Sequence, residues 1–147
     1  MAGNSLQHLT PNDWVLIETK AKRRVFTLGQ EIIREGHQSE VIYIIRRGTA
    51  SVELLNSRST AIVAWLREGD LCGEIAFIDR GKATASVIAK EEEVEADEIR
   101  AEDLRNLFSS FPGLASRFYQ SLAVILTQRL RDISREPVRV LNATTPR

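Results

Sequence analysis

The stretch Gly69-Asp70-Leu71-Cys72-Gly73-Glu74-Ile75-Ala76-Phe77-Ile78, continuing through Gly81-Lys82-Ala83-Thr84-Ala85-Ser86-Val87, decides the fold. Between Gly73 and Gly81 the residues Glu74 to Ile78 carry no turn signal, and they read as one helical turn inserted between two strands. On both sides the pattern is short apolar runs rich in branched residues, punctuated by glycine at 29, 36, 48, 69, 73 and 81. The runs are 25–27, 32–34, 41–45, 50–55, 61–66, 84–89 and 94–99. Short strands at this spacing predict a jelly-roll-like β-roll over about 25–99, because two sheets closed on each other protect their edges.

Outside the strand region the period becomes helical. Residues 1–24 carry Leu9, Trp14, Leu16 and Ile17 as apolar anchors, with Thr10 or Asn12 as a cap, Pro11 in the first turn and Lys20 to Arg24 as a basic exit. After Ile99, Leu104, Leu107 and Phe108 make a short helix that ends before Phe111-Pro112-Gly113. A long helix follows from Leu114 to Ser134, with apolar residues at 114, 118, 122, 125, 126, 130 and 133. Tyr119, Ala123 and Val124 widen that stripe beyond what packing on one roll requires. The surplus is either a broad core face or a second face against a partner helix; Phe118, Leu122, Ile125 and Arg129 are the interface candidates, and a homodimer or larger assembly is expected. The expected class is mainly β with flanking α: one domain over 1–136 with helices over 101–134, then a flexible tail at 137–147.

Composition narrows the function. The chain has 147 residues, 43% of them apolar and 27% charged, the profile of a globular domain. A net charge of zero shows no basic excess, and the eleven residues from Pro137 cannot hold a helix-turn-helix, so direct DNA binding is not expected. Cys72 is the only cysteine and no apolar run is long enough for a membrane span; a cytoplasmic protein without membrane insertion is expected. Cys72 reads as a small buried hydrophobe or as a thiol activated by the helix start. His8 and His37 lie far apart with no cysteine cluster, so no metal is expected. No nucleophile, base and orienter set is visible, and Gly81-Lys82-Ala83 fails as a phosphate-loop ending; no catalytic residues are assigned and an enzyme is not expected.

Gly29, Glu31, Ile32, Ile33, Gly36, Tyr43, Ile45 and Gly48, followed by Gly69-Asp70, Gly73-Glu74-Ile75-Ala76 and Ala85-Ser86-Val87, resemble the cyclic-nucleotide-binding domain family. That family is shared by catabolite-activator-type regulators, kinase regulatory subunits and gated channels. The resemblance covers about 10–134. It implies a β-roll with flanking helices, a long C-terminal helix acting as lid and dimer seam, and a phosphate-binding cassette at 73–84. Such a cassette offers backbone N–H groups to an anion at a helix start. A carboxylate such as Glu74 can accept a hydrogen bond from a ribose hydroxyl, and an arginine pairs bidentately with the phosphate. The family places that arginine nine positions after the glutamate, where this chain has Ala83, followed in register by Thr84.

A cyclic nucleotide is therefore expected to bind weakly if at all. Lys82 is the available replacement, although in an extended segment it points away from the side Ala83 faces. Glu74 either holds a ribose or buttresses the short helix. The run 91–103 holds eight acidic residues against Arg100, while Arg117, Arg129, Arg131, Arg135, Arg139 and Arg147 lie beyond it; this is either two solvated faces or a docking asymmetry. The expectation is a non-enzymatic regulatory or docking subunit that works through protein contacts, its ligand chemistry impaired. The alternative is a small-ligand sensor reading a cyclic nucleotide or related anion through Gly73, Glu74, Ile75, Ala76, Lys82 and Thr84.

Overall fold

The computed structural model describes residues 6–55 and 59–134. In chain order it contains α1 (Pro11–Glu18), β1 (Lys22–Thr27), β2 (Glu31–Ile33), β3 (Val41–Arg47), β4 (Ala50–Leu55), β5 (Thr60–Leu66), β6 (Leu71–Cys72), α2 (Glu74–Asp79), β7 (Ser86–Ala89), β8 (Glu93–Arg100), α3 (Ala101–Ser110) and α4 (Pro112–Ser134). The strands form two antiparallel sheets, β1-β8-β3-β6 and β2-β7-β4-β5, which face each other as a roll. The fold is the mainly β roll with flanking helices that the strand rhythm predicts. The expected tail at 137–147 lies outside the described residues.

β3 shows why the roll and the helices are one body. Ile42 and Ile44 join a core shared with α1, α2, α3 and α4, while Tyr43 and Ile45 join the core between the sheets. Successive side chains on a strand point to opposite faces, so a strand covered on both sides reads as the unbroken apolar run Val41 to Ile45. β6, two residues long and too short to leave a pattern, repeats the division: Leu71 faces the helical core and Cys72 the roll.

The first boundary moves for an electrostatic reason. β1 begins at Lys22, so Lys22-Arg23-Arg24 is a strand and not the basic exit of a helix. It runs antiparallel to β8, with Arg23 opposite Asp97 and Lys22 opposite Glu98. Arg23 donates to Asp97 and Glu95, each at 2.8 Å, Arg24 to Glu98 at 2.7 Å, and Arg46 of β3 to Asp97 at 2.6 Å. Charge complementarity replaces apolar alternation on this outer face. Three of the eight acidic residues in 91–103, Glu95, Asp97 and Glu98, are therefore paired inside the chain by basic residues of the strands flanking β8, while Glu91, Glu92, Glu93 and Glu102 remain exposed. Burial alone would raise the Asp97 carboxyl, but the hydrogen bonds from Arg23 and Arg46 outweigh it and hold the group below its usual value.

α1 is closed by Thr10, not Asn12. The Thr10 hydroxyl accepts from the Asp13 N–H at 3.1 Å, and the Asp13 carboxylate accepts from the Thr10 N–H at 2.9 Å, a reciprocal capping box. The same buried carboxylate receives Arg117 Nε at 2.6 Å and Nη2 at 2.9 Å, tying α1 to α4. These hydrogen bonds, with Arg117 foremost, hold Asp13 well below its ordinary 3.8, at about 2. A carboxyl lowered on folding contributes stability above its unfolded pKa and loses it as pH falls through the folded one. Urea unfolding followed from pH 5 to 2 is accordingly expected to lose about 2 kcal/mol that an Asp13→Asn variant does not lose. Equal pH slopes in the two proteins would refute that assignment.

Candidate functional site

The cleft sits where β6, α2, the segment before β7 and α4 meet. It encloses about 490 Å³ not filled by atoms, including space open to solvent. Gly73 starts its wall. With φ at +90°, and with the Val41 carbonyl oxygen 2.6 Å from where a Cβ would stand, this position excludes any other residue without backbone movement. α2 springs directly from that turn; Glu74, Ala76 and Phe77 are buried, while Ile75 and Ile78 are exposed.

Ala83 stands in the opposite wall. Its N–H donates to the His37 carbonyl at 2.9 Å and its carbonyl accepts from Gly36 N–H at 2.8 Å, so the backbone is fixed on both sides. The methyl group packs against the roll core, and Thr84 and Ala85 continue the wall as a bend. β7 accordingly starts at Ser86, two residues later than the apolar run predicts. Lys82 pairs with Gln38 in an isolated bridge, is exposed, and is not part of the cleft wall. The alternation of an extended segment turns it to the side opposite Ala83, away from the cleft.

The cation in the wall comes from α4. Among the described residues that line the cleft, Glu74 and Arg129 are the charged ones. Arg129 Nη1 donates to the Glu74 carboxylate, and its Nη2 donates to the Leu71 carbonyl at 3.2 Å. Sequence reasoning placed Arg129 on a partner-facing side and missed this role. One signal was present: 118, 122, 125 and 129 are successive steps on one helical face, so Arg129 ends an inward stripe. An arginine in that place needs a buried partner.

Of the other interface candidates, two are taken up by the chain's own core and Ile125 is half-buried beside it. Phe118 and Leu122 are 2% and 1% exposed inside the chain's own helical core, and Ile125 packs against that core. Among the described residues, α4 shows the apolar Tyr119, Ala123 and Leu130 to solvent one step around the helix, and Val124 on the opposite flank. Cys72 is buried, and desolvation, with the nearby Glu74 charge, pushes its thiol far up, which removes the activated-thiol reading.

α2 is mechanically joined to the helices behind it. The Phe77 ring meets Phe108 and Phe118 edge-on at 6.2 and 5.9 Å and stacks on Tyr119 at 6.2 Å. Arg105 lies 5.0 Å from the Phe77 ring centre and donates to the Phe77 carbonyl at 3.4 Å. Displacement of the cleft's short helix must therefore be felt by α3 and α4.

A two-sheet antiparallel roll, a glycine-opened short helix between two strands, and a long helix over the resulting cleft together define a cyclic-nucleotide-binding type of domain. The chain belongs to the cyclic nucleotide-binding domain family, whose profile matches residues 23–111. Cyclic GMP-binding protein C of Dictyostelium discoideum is 30% identical over 135 residues, 86% of this chain and 5% of that protein. The cyclic AMP receptor protein of Thermus thermophilus is 29% identical over 140 residues, 92% of this chain and 62% of that protein. The crystal structure of the Thermus thermophilus catabolite activator protein superposes with a TM-score of 0.77 at 27% identity, covering 95% of this chain and 63% of that one. The chain thus spans less than two thirds of the length of either relative. No helix among the described residues is long and apolar enough to cross a membrane.

Proposed function

We propose that this chain is a cytoplasmic, non-enzymatic regulatory domain whose cyclic-nucleotide binding is weakened and whose output is a protein contact made by α4, first of all with a second copy. The observation that carries the reading is the Ala83 methyl in the cleft wall where the family resemblance calls for a phosphate-pairing arginine. The relatives' names connect their own domains with cyclic GMP and cyclic AMP, which sets the ligands to try. Loss of a charge-assisted contact to an enclosed phosphate costs about 2–5 kcal/mol.

Wild-type protein is therefore expected to keep its unfolding temperature in 0.1 mM cyclic AMP or cyclic GMP. A ligand present at a hundred times its Kd would stabilise by about 2.7 kcal/mol, a shift of several degrees for a domain this size; such a shift would show the pocket to be unimpaired. The output half of the reading rests on the exposed Tyr119, Ala123 and Leu130 of one α4 face, with Ile62, Val63 and Trp65 exposed on the edge strand β5. Sedimentation velocity is expected to find a dimer in wild type and a monomer in Leu130→Glu. A wild-type monomer at 100 µM would remove the second-copy reading.

A second reading, a live sensor of a small anion, is favoured by Arg129, since it brings a guanidinium into the cleft from another element.

A further inference from the structure

We propose that Arg129 is the anion-pairing side chain of this cleft, so that a phosphate-bearing ligand is gripped by α4 and not by the segment that follows α2. The inference deepens the pocket reading above and rests on it.

The charge inventory of the wall supplies the first step. Glu74 is 3% exposed, and a carboxylate buried beside a cleft repels an incoming anion unless a cation neutralises it. Arg129 supplies that neutralisation, and Lys82 does not face the cleft. The geometry of the guanidinium supplies the second. Its contacts to Glu74 and to the Leu71 carbonyl use two of the five N–H donors an arginine carries, in a planar group suited to two oxygens of one phosphate. Its side chain is 38% exposed, so the group is anchored at the wall and still reached by solvent.

The pairing also defines a ligand class. With the anion on Arg129, the adjacent Glu74 carboxylate is an acceptor for a hydroxyl a few ångströms from the phosphate. A phosphate ester or cyclic phosphodiester that also bears a hydroxyl satisfies both groups, whereas a plain dicarboxylate offers Glu74 only repulsion. Arg129 lies five residues before the end of α4, next to the exposed Leu130. Ligand occupancy therefore fastens the C-terminal turns of the helix proposed to carry the output, and the site and the surface are linked by one side chain.

The test is an NMR titration of the full chain with millimolar cyclic AMP and with uncharged adenosine, using wild type, Arg129→Gln and Arg129→Lys, so that residue 83 remains alanine. Relative to wild type, Arg129→Gln is expected to weaken cyclic AMP about tenfold or more while leaving adenosine unchanged, and Arg129→Lys is expected to weaken it less. An unchanged or tighter cyclic AMP affinity would show Arg129 to be a plug and overturn the proposal. Equal weakening of cyclic AMP and adenosine would show a purely structural role and also overturn it.

A second probe, inorganic phosphate at millimolar concentration followed by NMR, keeps the test decisive should the Arg129 variants not fold. Glu74→Gln removes the competing carboxylate and is expected to tighten phosphate binding at least threefold over wild type; no tightening counts against Arg129. Failure of Ala83→Arg to bind cyclic AMP would instead refute the pocket reading, and the phosphate comparison would still decide the role of Arg129.

Discussion

Ala83→Arg is expected to bind cyclic AMP about 30- to several-thousand-fold more tightly than the wild-type chain, the affinity equivalent of about 2–5 kcal/mol. The backbone at Ala83 is held on both sides. Both of its polar groups are hydrogen-bonded to the 36–37 turn, and its Cβ faces a cleft open to solvent. Ala83 and Glu74 both line that cleft, where Glu74 is already paired with Arg129. The measurement is a thermal-unfolding titration of both proteins with cyclic AMP and cyclic GMP. Identical, negligible shifts in both would mean that the cleft is no longer shaped for a nucleotide, so that the missing arginine is a consequence and not the cause of weak binding.

Phe77→Ala is expected to lose about 3–5 kcal/mol in urea unfolding, the usual cost of truncating a well-packed phenylalanine to alanine. The ring is 4% exposed and meets Phe108, Phe118 and Tyr119 together, so no single neighbour can relax into the space it leaves. The Arg105 guanidinium over its face loses its partner at the same time. Because this ring is a side-chain bridge from α2 to α3 and α4 beside the Glu74–Arg129 pair, the variant should also weaken the coupling of cleft to helix: ligand added to Ala83→Arg/Phe77→Ala should protect α4 amides from hydrogen exchange less than in Ala83→Arg. A loss below about 1 kcal/mol would show the cluster to be loosely packed and the coupling argument unsound.

Local signals carried much of this molecule. Glycines at 29, 36, 48, 69 and 73 all take positive φ, and their order along the chain marks the turns of the roll. The strand 50–55 and the helical stretch after Gly73 are found where periodicity and turn chemistry place them, because each depends on residues within one or two turns of chain. Ala83 stands nine residues after Glu74 in an uninterrupted segment, the position at which the family resemblance implies an arginine.

What failed to show in the sequence depends on partners distant along the chain. Lys22-Arg23-Arg24 reads as a helix exit until β8, more than 70 residues away, supplies Glu95, Asp97 and Glu98. Phe118 and Leu122 read equally as core or interface, because one apolar stripe fits either and only the docking of α4 against β3, α2 and α3 assigns it inward. Arg129 reads as a solvated or partner-facing charge until α4 brings it 55 residues back to Glu74. The sequence alone determined the roll and its helical interruption, since backbone propensity and side-chain period act locally. Tertiary structure decided which charges meet and which face of α4 is buried, since those free energies exist only once segments far apart in the chain are held together.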